Sequence, residues 1–528
     1  MKKIRTNTFD IEVFRHLFVS VAEEMGVTVQ RSAHSPNIKE RRDHSCAVFD
    51  IDGRMIAQAA HIPVHLGSMP ASVDAAISAY KSESPRHGDV IILNDPYLGG
   101  THLPDITTVS PVFVSTGTRK THWGWVATRA HHADVGGMAP GSMPPSTELY
   151  HEGLVIPPLK LVDGGQLDEQ LVEIICRNVR TPDERRGDLE AQLASHHVGE
   201  TRLADFARRY GAKQLQDSAV ALLAYTERLA RARLRVVPDG QYGFTDYLDD
   251  DGAGGSPLQI KVNIRANDGH LTFDFSGTGP AAHGAMNAPE AVTHSAVLYV
   301  ARCLMGSDVP ANDGTSAPLE IHVPKGTVLN PPHPHAVAAG NVETSQRVVD
   351  VLWGALATAV PQLAPAASQG TMNNVIIGGI DQQHNRPFTY YETIAGGSGA
   401  GPVGPGADGI QVAMTNTLNT PVEAMELAYP LRARSYRIRS GSGGAGKHRG
   451  GDGVIREIEV LSPAVVSVIT ERRKLSPWGM AGGKPGRVGR NTGTIAGKKK
   501  RLPNKGSIEL NSGDLIRIDT PGGGGWGR

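Results

Sequence analysis

Asn94-Asp95-Pro96-Tyr97-Leu98-Gly99-Gly100-Thr101-His102-Leu103-Pro104-Asp105 and, about thirty residues later, His131-His132-Ala133-Asp134-Val135-Gly136-Gly137 are the segments from which the rest of the chain can be read. Each follows an apolar run, Val90 to Leu93 before the first and Trp123 to Ala130 before the second, and each carries paired glycines. Short apolar runs closed by glycine and proline predict strands that leave a sheet into tight loops. Each loop presents a histidine and a carboxylate three residues apart. Imidazole nitrogen and carboxylate oxygen suit a borderline divalent cation such as zinc, manganese or iron, and glycine lets the backbone approach it closely. A single His-x-x-Asp pair among 21 histidines is more often a chance pairing or a hydrogen-bonded loop cap than a metal site. Repetition at two strand ends, with His151 following in Tyr150-His151-Glu152-Gly153, is what points to metal.

Lys plus Arg equals Asp plus Glu, 53 each, which removes the electrostatic case for nucleic acid or an anionic membrane as partner. Cys46, Cys176 and Cys303 are too few and too scattered for a disulfide framework. Met1-Lys2-Lys3-Ile4-Arg5 runs into polar residues without an apolar core, and no span approaches ~18 continuous apolar residues. A cytoplasmic location is the resulting default. Glycine at 62 of 528 residues is high, but the glycines sit among motifs and strand ends, as turn and close-approach positions do.

The expected fold class is α/β (mixed α+β), multidomain, with a β-rich C-terminal domain. Residues 1–240 form an N-terminal metal-binding α/β unit, which opens on a helix from Asp10 to about Arg31 with Ile11, Phe14, Leu17, Phe18 and Val21 on its apolar face. Short strands follow to about Leu161, then helices from Glu169 to Arg235, closed by Val236-Val237-Pro238-Asp239-Gly240. Residues 241–423 alternate strands with the apolar helices Ala291 to Cys303 and Thr344 to Leu363. Residues 424–528 turn to short Val/Ile-rich strands separated by glycines, including Gly453 to Val460, Val465 to Thr470 and Leu515 to Thr520.

Three tempting motifs fail on mechanical grounds. Gly441-Ser442-Gly443-Gly444-Ala445-Gly446-Lys447-His448 has the glycine and lysine spacing of a P-loop, but His448 stands where a hydroxyl must reach magnesium. Gly396-Gly397-Ser398-Gly399-Ala400 lacks the second flanking glycine of a nucleophile elbow, and Gly401-Pro402 works against the helix that should follow. Cys46, beside His44, reads as a buried strand cysteine rather than an activated thiol.

These segments, with Ile62-Pro63-Val64-His65-Leu66-Gly67-Ser68-Met69 before them, resemble the hydantoinase B family, and the likeness runs the length of the chain. It continues in Glu40-Arg41-Arg42-Asp43-His44-Ser45-Cys46, Gly187 to Gln192, Asn341-Val342-Glu343-Thr344-Ser345-Gln346-Arg347, Tyr391 to Gly397, Ser442 to Gly451 and the terminal Thr520 to Gly527. The resemblance implies a divalent metal held by Asp43, His102, His131, Asp134 and His151, with Glu40 and His132 as equally capable neighbours and as candidate bases. It further implies the B-type subunit of an ATP-dependent hydrolase of hydantoin, 5-oxoproline or lactam rings. ATP and its magnesium would bind to an A-type ATPase partner in a hetero-oligomer. Two other readings stay open on sequence: a subunit of an ATP-dependent ketone carboxylase, and a noncatalytic scaffold for the A-type subunit.

Overall fold

The structure, a computed structural model, describes residues 8–59, 62–116 and 119–528, so the stretch Met1 to Arg5 lies outside it. Helix at 30% and strand at 28% make this a mixed α/β protein. Among the described residues the strands form four sheets of seven, four, four and five.

The first sheet is built from β1 (His44–Asp50), β2 (Met55–Gln58), β3 (Val90–Leu93), β4 (Asp105–Thr116), β5 (Arg119–His131), β6 (Leu159–Asp163) and β7 (Gln166–Leu167). Their order is β2-β1-β5-β4-β3-β6-β7, antiparallel throughout. Every residue of β1 is buried, because both faces of the sheet are covered. Successive side chains alternate between them. Cys46 and Val48 join a core under α1 (Thr8–Ser32), while Ala47 and Phe49 face α4 (Met69–Ala79). Cys46 is inert there, since burial pushes its thiol up to about 12. In α1 the residues Ile11, Phe14, Phe18, Val21 and Met25 are buried at helical spacing. Between these helices lie the short α2 (Pro36–Lys39) and α3 (Pro63–Leu66). The helical stretch resolves into α5 (Glu169–Arg177), α6 (Pro182–Tyr210) and α7 (Ala212–Leu234), and α1 packs along α6.

After the break at Pro238, β8 (Gly240–Leu248), β9 (Leu258–Asn267), β10 (His270–Asp274) and β11 (Leu319–His322) pair in the order β11-β10-β9-β8. In β9 the residues Ile260, Val262, Ile264 and Ala266 are buried and their neighbours exposed, the mark of a sheet with one wet face. The covered face meets α8 (Glu290–Met305) and α9 (Ser345–Ala359).

Two further sheets pack against each other. One runs β13 (Arg386–Thr393), β12 (Asn374–Asp381), β16 (Ala464–Ile469), β19 (Lys505–Leu510). It therefore draws strands from both sides of residue 424. The other runs β14 (Leu431–Arg439), β15 (Gly453–Val460), β20 (Leu515–Asp519), β17 (Arg490–Ile495), β18 (Lys498–Arg501), with α10 (Val422–Ala428) leading into it.

At one edge of this pair the backbone itself is the packing surface. Gly451 N–H donates to Ser398 O, Gly523 to Gly451, Gly444 to Gly523 and Ala400 to Gly524, all near 2.9 Å. A methyl added at Gly443 would stand 1.9 Å from the Gly450 carbonyl oxygen. The loop resembling a P-loop belongs to this layer. It leaves β14 and enters β15, so a strand stands where a phosphate-binding loop needs a helix.

Candidate metal centre

Asp105 opens β4 and His131 closes β5, and the two are direct register partners across the strand pair. On the other side of β5, the His131 N–H donates to the Asp43 carbonyl at 2.9 Å, just before β1 begins. Three adjacent strands thus bring Asp43, His131 and Asp105 to one end of the sheet. The turn at Gly99 to Gly100 carries His102 over that end. Gly99 has φ +86°, and a Cβ there would lie 2.3 Å from the Ala71 carbonyl oxygen, so no other residue fits.

Within the cluster His102 Nε2 lies 3.3 Å from Asp105 Oδ1, His131 Nδ1 3.3 Å from the same oxygen, and the two ring nitrogens 3.2 Å apart. All three side chains are buried. Ligands about 2.1 Å from a common ion at tetrahedral or octahedral angles stand about 3.0 to 3.4 Å from one another, so the observed spacing fits a metal. Despite the short approach, Asp105 Oδ1 makes no well-directed hydrogen bond, and His131 Nε2 is also without a partner among the described residues. The remaining oxygen of Asp105 accepts from Thr101 Oγ1 at 2.5 Å, and His65 Nε2 lies 3.6 Å from it.

The supports are as specific as the cluster. His102 Nδ1 is 3.2 Å from the Ala338 carbonyl, which places its proton there and leaves Nε2 to ligate. Glu152 fixes that segment by accepting from Val337 N–H, Ala338 N–H and Ser146 Oγ, and burial raises its carboxyl to about 7. Tyr391 stacks on His131 at 4.8 Å and 17°, with the Arg41 guanidinium 4.6 Å from the tyrosine ring. Electrostatics divides the two histidines. Burial depresses His131, whereas for His102 burial is outweighed by Asp105, the Ala338 carbonyl and Asp43 together, which raise the ring. Burial opposes charge on Asp105 too, but the histidines hold it well below the usual carboxylate range.

Of the residues picked out by sequence, His102 and His131 stand in this group, and Asp43 lines a small cavity beside it together with His65, Asp105, His131 and Tyr391. Asp134 lies outside it. Its buried carboxylate is bound by the Arg180 guanidinium at 2.8 Å and by the N–H groups of Arg180 and Gly141. His151 also lies outside, a half-exposed ring paired with Glu148 at 3.2 Å. Glu40 caps the end of α2 and is not among the cavity's lining residues. His132 follows His131 and so turns the opposite way, its Nε2 3.0 Å from Gln192 on α6, where burial pushes the ring down to about 4. Asp105 is visible in the first His-x-x-Asp pair and His65 in the Ile62 to Met69 motif, yet the ligand set expected from sequence omits both.

Beside the cluster the molecule leaves only about 20 Å3 of room. Across Ile62 and the segment 414–417 lies a second cavity of about 380 Å3, lined mostly by apolar groups with Gln58, Tyr299 and Asn416 among them. Met414, Thr415 and Thr417 face the small cavity and Asn416 the larger one.

Residues 7–528 match the family described as hydantoinase B/oxoprolinase. The chain is 40% identical over 557 residues to 5-oxoprolinase 1 of Arabidopsis thaliana, a match that covers 99% of this chain and 42% of that protein. It is 33% identical to a protein of a Pseudomonas species provisionally named as a D-/L-hydantoinase component, covering 100% of this chain and 90% of the relative. Its fold matches the crystal structure of the ATP-dependent caprolactamase from Pseudomonas jessenii with a TM-score of 0.90 and 26% identity, covering 99% and 91% of the two chains.

Proposed function

Because the chain belongs to the hydantoinase B/oxoprolinase family, we propose that it is the B-type subunit of an ATP-dependent cyclic-amide hydrolase, opening a hydantoin, 5-oxoproline or lactam ring. The observation that carries the reading is the buried group His102, Asp105 and His131, whose donor atoms are spaced for one divalent ion. Asp43, at the same end of the sheet, lines the small cavity beside the group without belonging to it, and its charge lies close enough to act on both histidines. An ion held there, zinc, manganese or iron, would supply Lewis acidity that lowers the pKa of water toward neutrality and polarises the ring carbon.

The chain's own residues do the rest. His65, Thr101 and Asn341 hold the second oxygen of Asp105, Glu152 and Ala338 hold the tautomer of His102, and Tyr391 clamps the ring of His131. The larger cavity, at about 380 Å3, is the right size for a small ring compound.

An unstrained amide carbonyl is a poor electrophile, so phosphorylating its oxygen supplies a leaving group as well as a driving force. We assign that step, with ATP and magnesium, to an A-type ATPase partner. Support comes from the glycine loop of this chain most like a P-loop, which has neither the hydroxyl nor the helix the task requires.

The test is to reconstitute the chain with an A-type ATPase and count ATP consumed per ring opened. His131→Ala is expected to lower ring opening by orders of magnitude while substrate-dependent ATP consumption survives. Equal loss of both activities in a complex that remains assembled would overturn the hydrolytic role.

A further inference from the structure

Asn341 is the one amide side chain that touches the cluster while keeping a polar atom without a partner among the described residues. It sits in a π-helical turn, Gly340–Thr344, just ahead of α9. Such turns are rare, and the extra residue they insert reorients a side chain at the cost of a regular hydrogen bond. Packing holds the turn in place. A Cβ on Gly340 would lie 1.9 Å from the Asn287 carbonyl oxygen, and Ser345 Oγ donates to the Asn341 carbonyl at 2.7 Å.

The orientation of the Asn341 amide follows from chemistry. Its Nδ2 lies 3.2 Å from Asp105 Oδ2, and a carboxylate can only accept, so the NH2 group must face Asp105 and the carbonyl must face away. Asn341 is 3% exposed and lines the small cavity, and its Oδ1 has no donor among the described residues. A buried acceptor in that state calls for a donor from outside the chain. Size identifies the donor. About 20 Å3 holds one water but not a whole lactam or hydantoin ring, whose reacting carbon would meet that water from the larger cavity across Ile62, which lines both.

We infer that Asn341 positions the water that attacks the ring carbon: the water's oxygen bonds to that carbon as the C–N bond breaks, its two protons end on the leaving nitrogen, and the acyl phosphate so formed releases phosphate to a second water. The inference rests on the cyclic-amide reading above and adds a residue to it. Oδ1 accepts a hydrogen bond from one O–H of the water, which turns the oxygen's lone pair away from Asn341 and toward the reacting carbon. The amide gains and loses no proton, and its NH2 group meanwhile keeps Asp105 in place.

Two measurements on the full chain test this. In a high-resolution crystal structure of the wild type, an ordered water stands within hydrogen-bond distance of Asn341 Oδ1, and it is gone in Asn341→Leu. With the A-type partner, Asn341→Leu lowers kcat for ring opening about 100-fold. It leaves KM for the ring unchanged and raises the ATP consumed per ring opened, and the fall in kcat far exceeds any fall in metal content that loss of the bond to Asp105 brings. A purely structural asparagine would instead lower metal content or KM and kcat together. If leucine does not fold, Asn341→Ala takes its place, and the wild-type crystal decides independently. No water at Oδ1, or ring opening at the wild-type rate in the folded variant, overturns the inference while the cyclic-amide reading stands. A wild-type complex that opens no ring amide overturns both.

Discussion

At the scale of single residues, the cluster separates two aspartates with the same sequence signature. Asp105 and Asp134 each follow a histidine by three positions, but Asp105 faces two imidazoles and Asp134 faces Arg180. Asp105→Ala and His131→Ala are therefore expected to lose most of the bound metal in elemental analysis while staying folded, with His322→Ala, on an exposed strand end, as the control. Asp134→Ala is expected to keep its metal and lose about 1 to 3 kcal/mol of stability, because it leaves the N–H groups of Gly141 and Arg180 without their acceptor and the half-buried Arg180 guanidinium without its partner. Metal loss in Asp134→Ala without a fall in melting temperature would reverse the assignment. Both His-x-x-Asp pairs were legible in the sequence; which aspartate packs against the two imidazoles was not, since spacing says nothing about what lies across the strand.

His196 makes a second prediction at this scale. It is fully buried on α6 with Nε2 2.7 Å from Thr108 Oγ1, and burial alone pushes it down to about 3. The folded ring is neutral where the unfolded ring takes a proton, so its contribution is present above about pH 6.5 and is lost as pH falls toward 3. At pH 5 the loss is about 2 kcal/mol, a few degrees of melting temperature. His196→Gln should show a smaller drop in melting temperature between pH 7 and pH 5 than the wild type. An unchanged drop would place the acid sensitivity elsewhere.

Elements carry a different lesson, because the glycine-rich segments form an element without regular helix or strand. Gly399 and Gly401 are two residues apart, yet a Cβ at Gly399 would stand 1.8 Å from the Ala366 carbonyl oxygen, whereas at Gly401 it meets nothing within 4 Å. Gly399→Ala should cost about 3 kcal/mol or more, and Gly401→Ala should be neutral or slightly stabilising. Similar melting temperatures for the two variants would show that the layer is not close-packed. The strands and helices themselves were largely legible. Val90–Leu93 and Gly453–Val460 fall where the apolar runs put them, and α8 and α9 lie within a few residues of the expected helices. The π-turn that presents Asn341 left no periodic signal, because one inserted residue displaces a single turn and not a pattern.

For the whole molecule, the proposed division of labour predicts that this chain alone neither hydrolyses ATP nor opens a lactam, and that both activities appear when an A-type partner is added. ATP turnover by the purified chain would end that division. The described helices include none long and apolar enough to cross a membrane. Sequence by itself determined the family, the mixed α/β class and the two strand-end loops that carry a histidine and a carboxylate, because these depend on local periodicity and on motifs written contiguously. Tertiary structure alone decided that a sheet joins β12 and β13 to strands beyond residue 424 and that Asp105 is the carboxylate between the histidines. It also decided that His132 turns away toward α6 and that Asn341 reaches the cluster from 236 residues further along the chain. Those facts are set by strand register and by which face of the sheet a side chain takes, and both come into being only when distant segments pack.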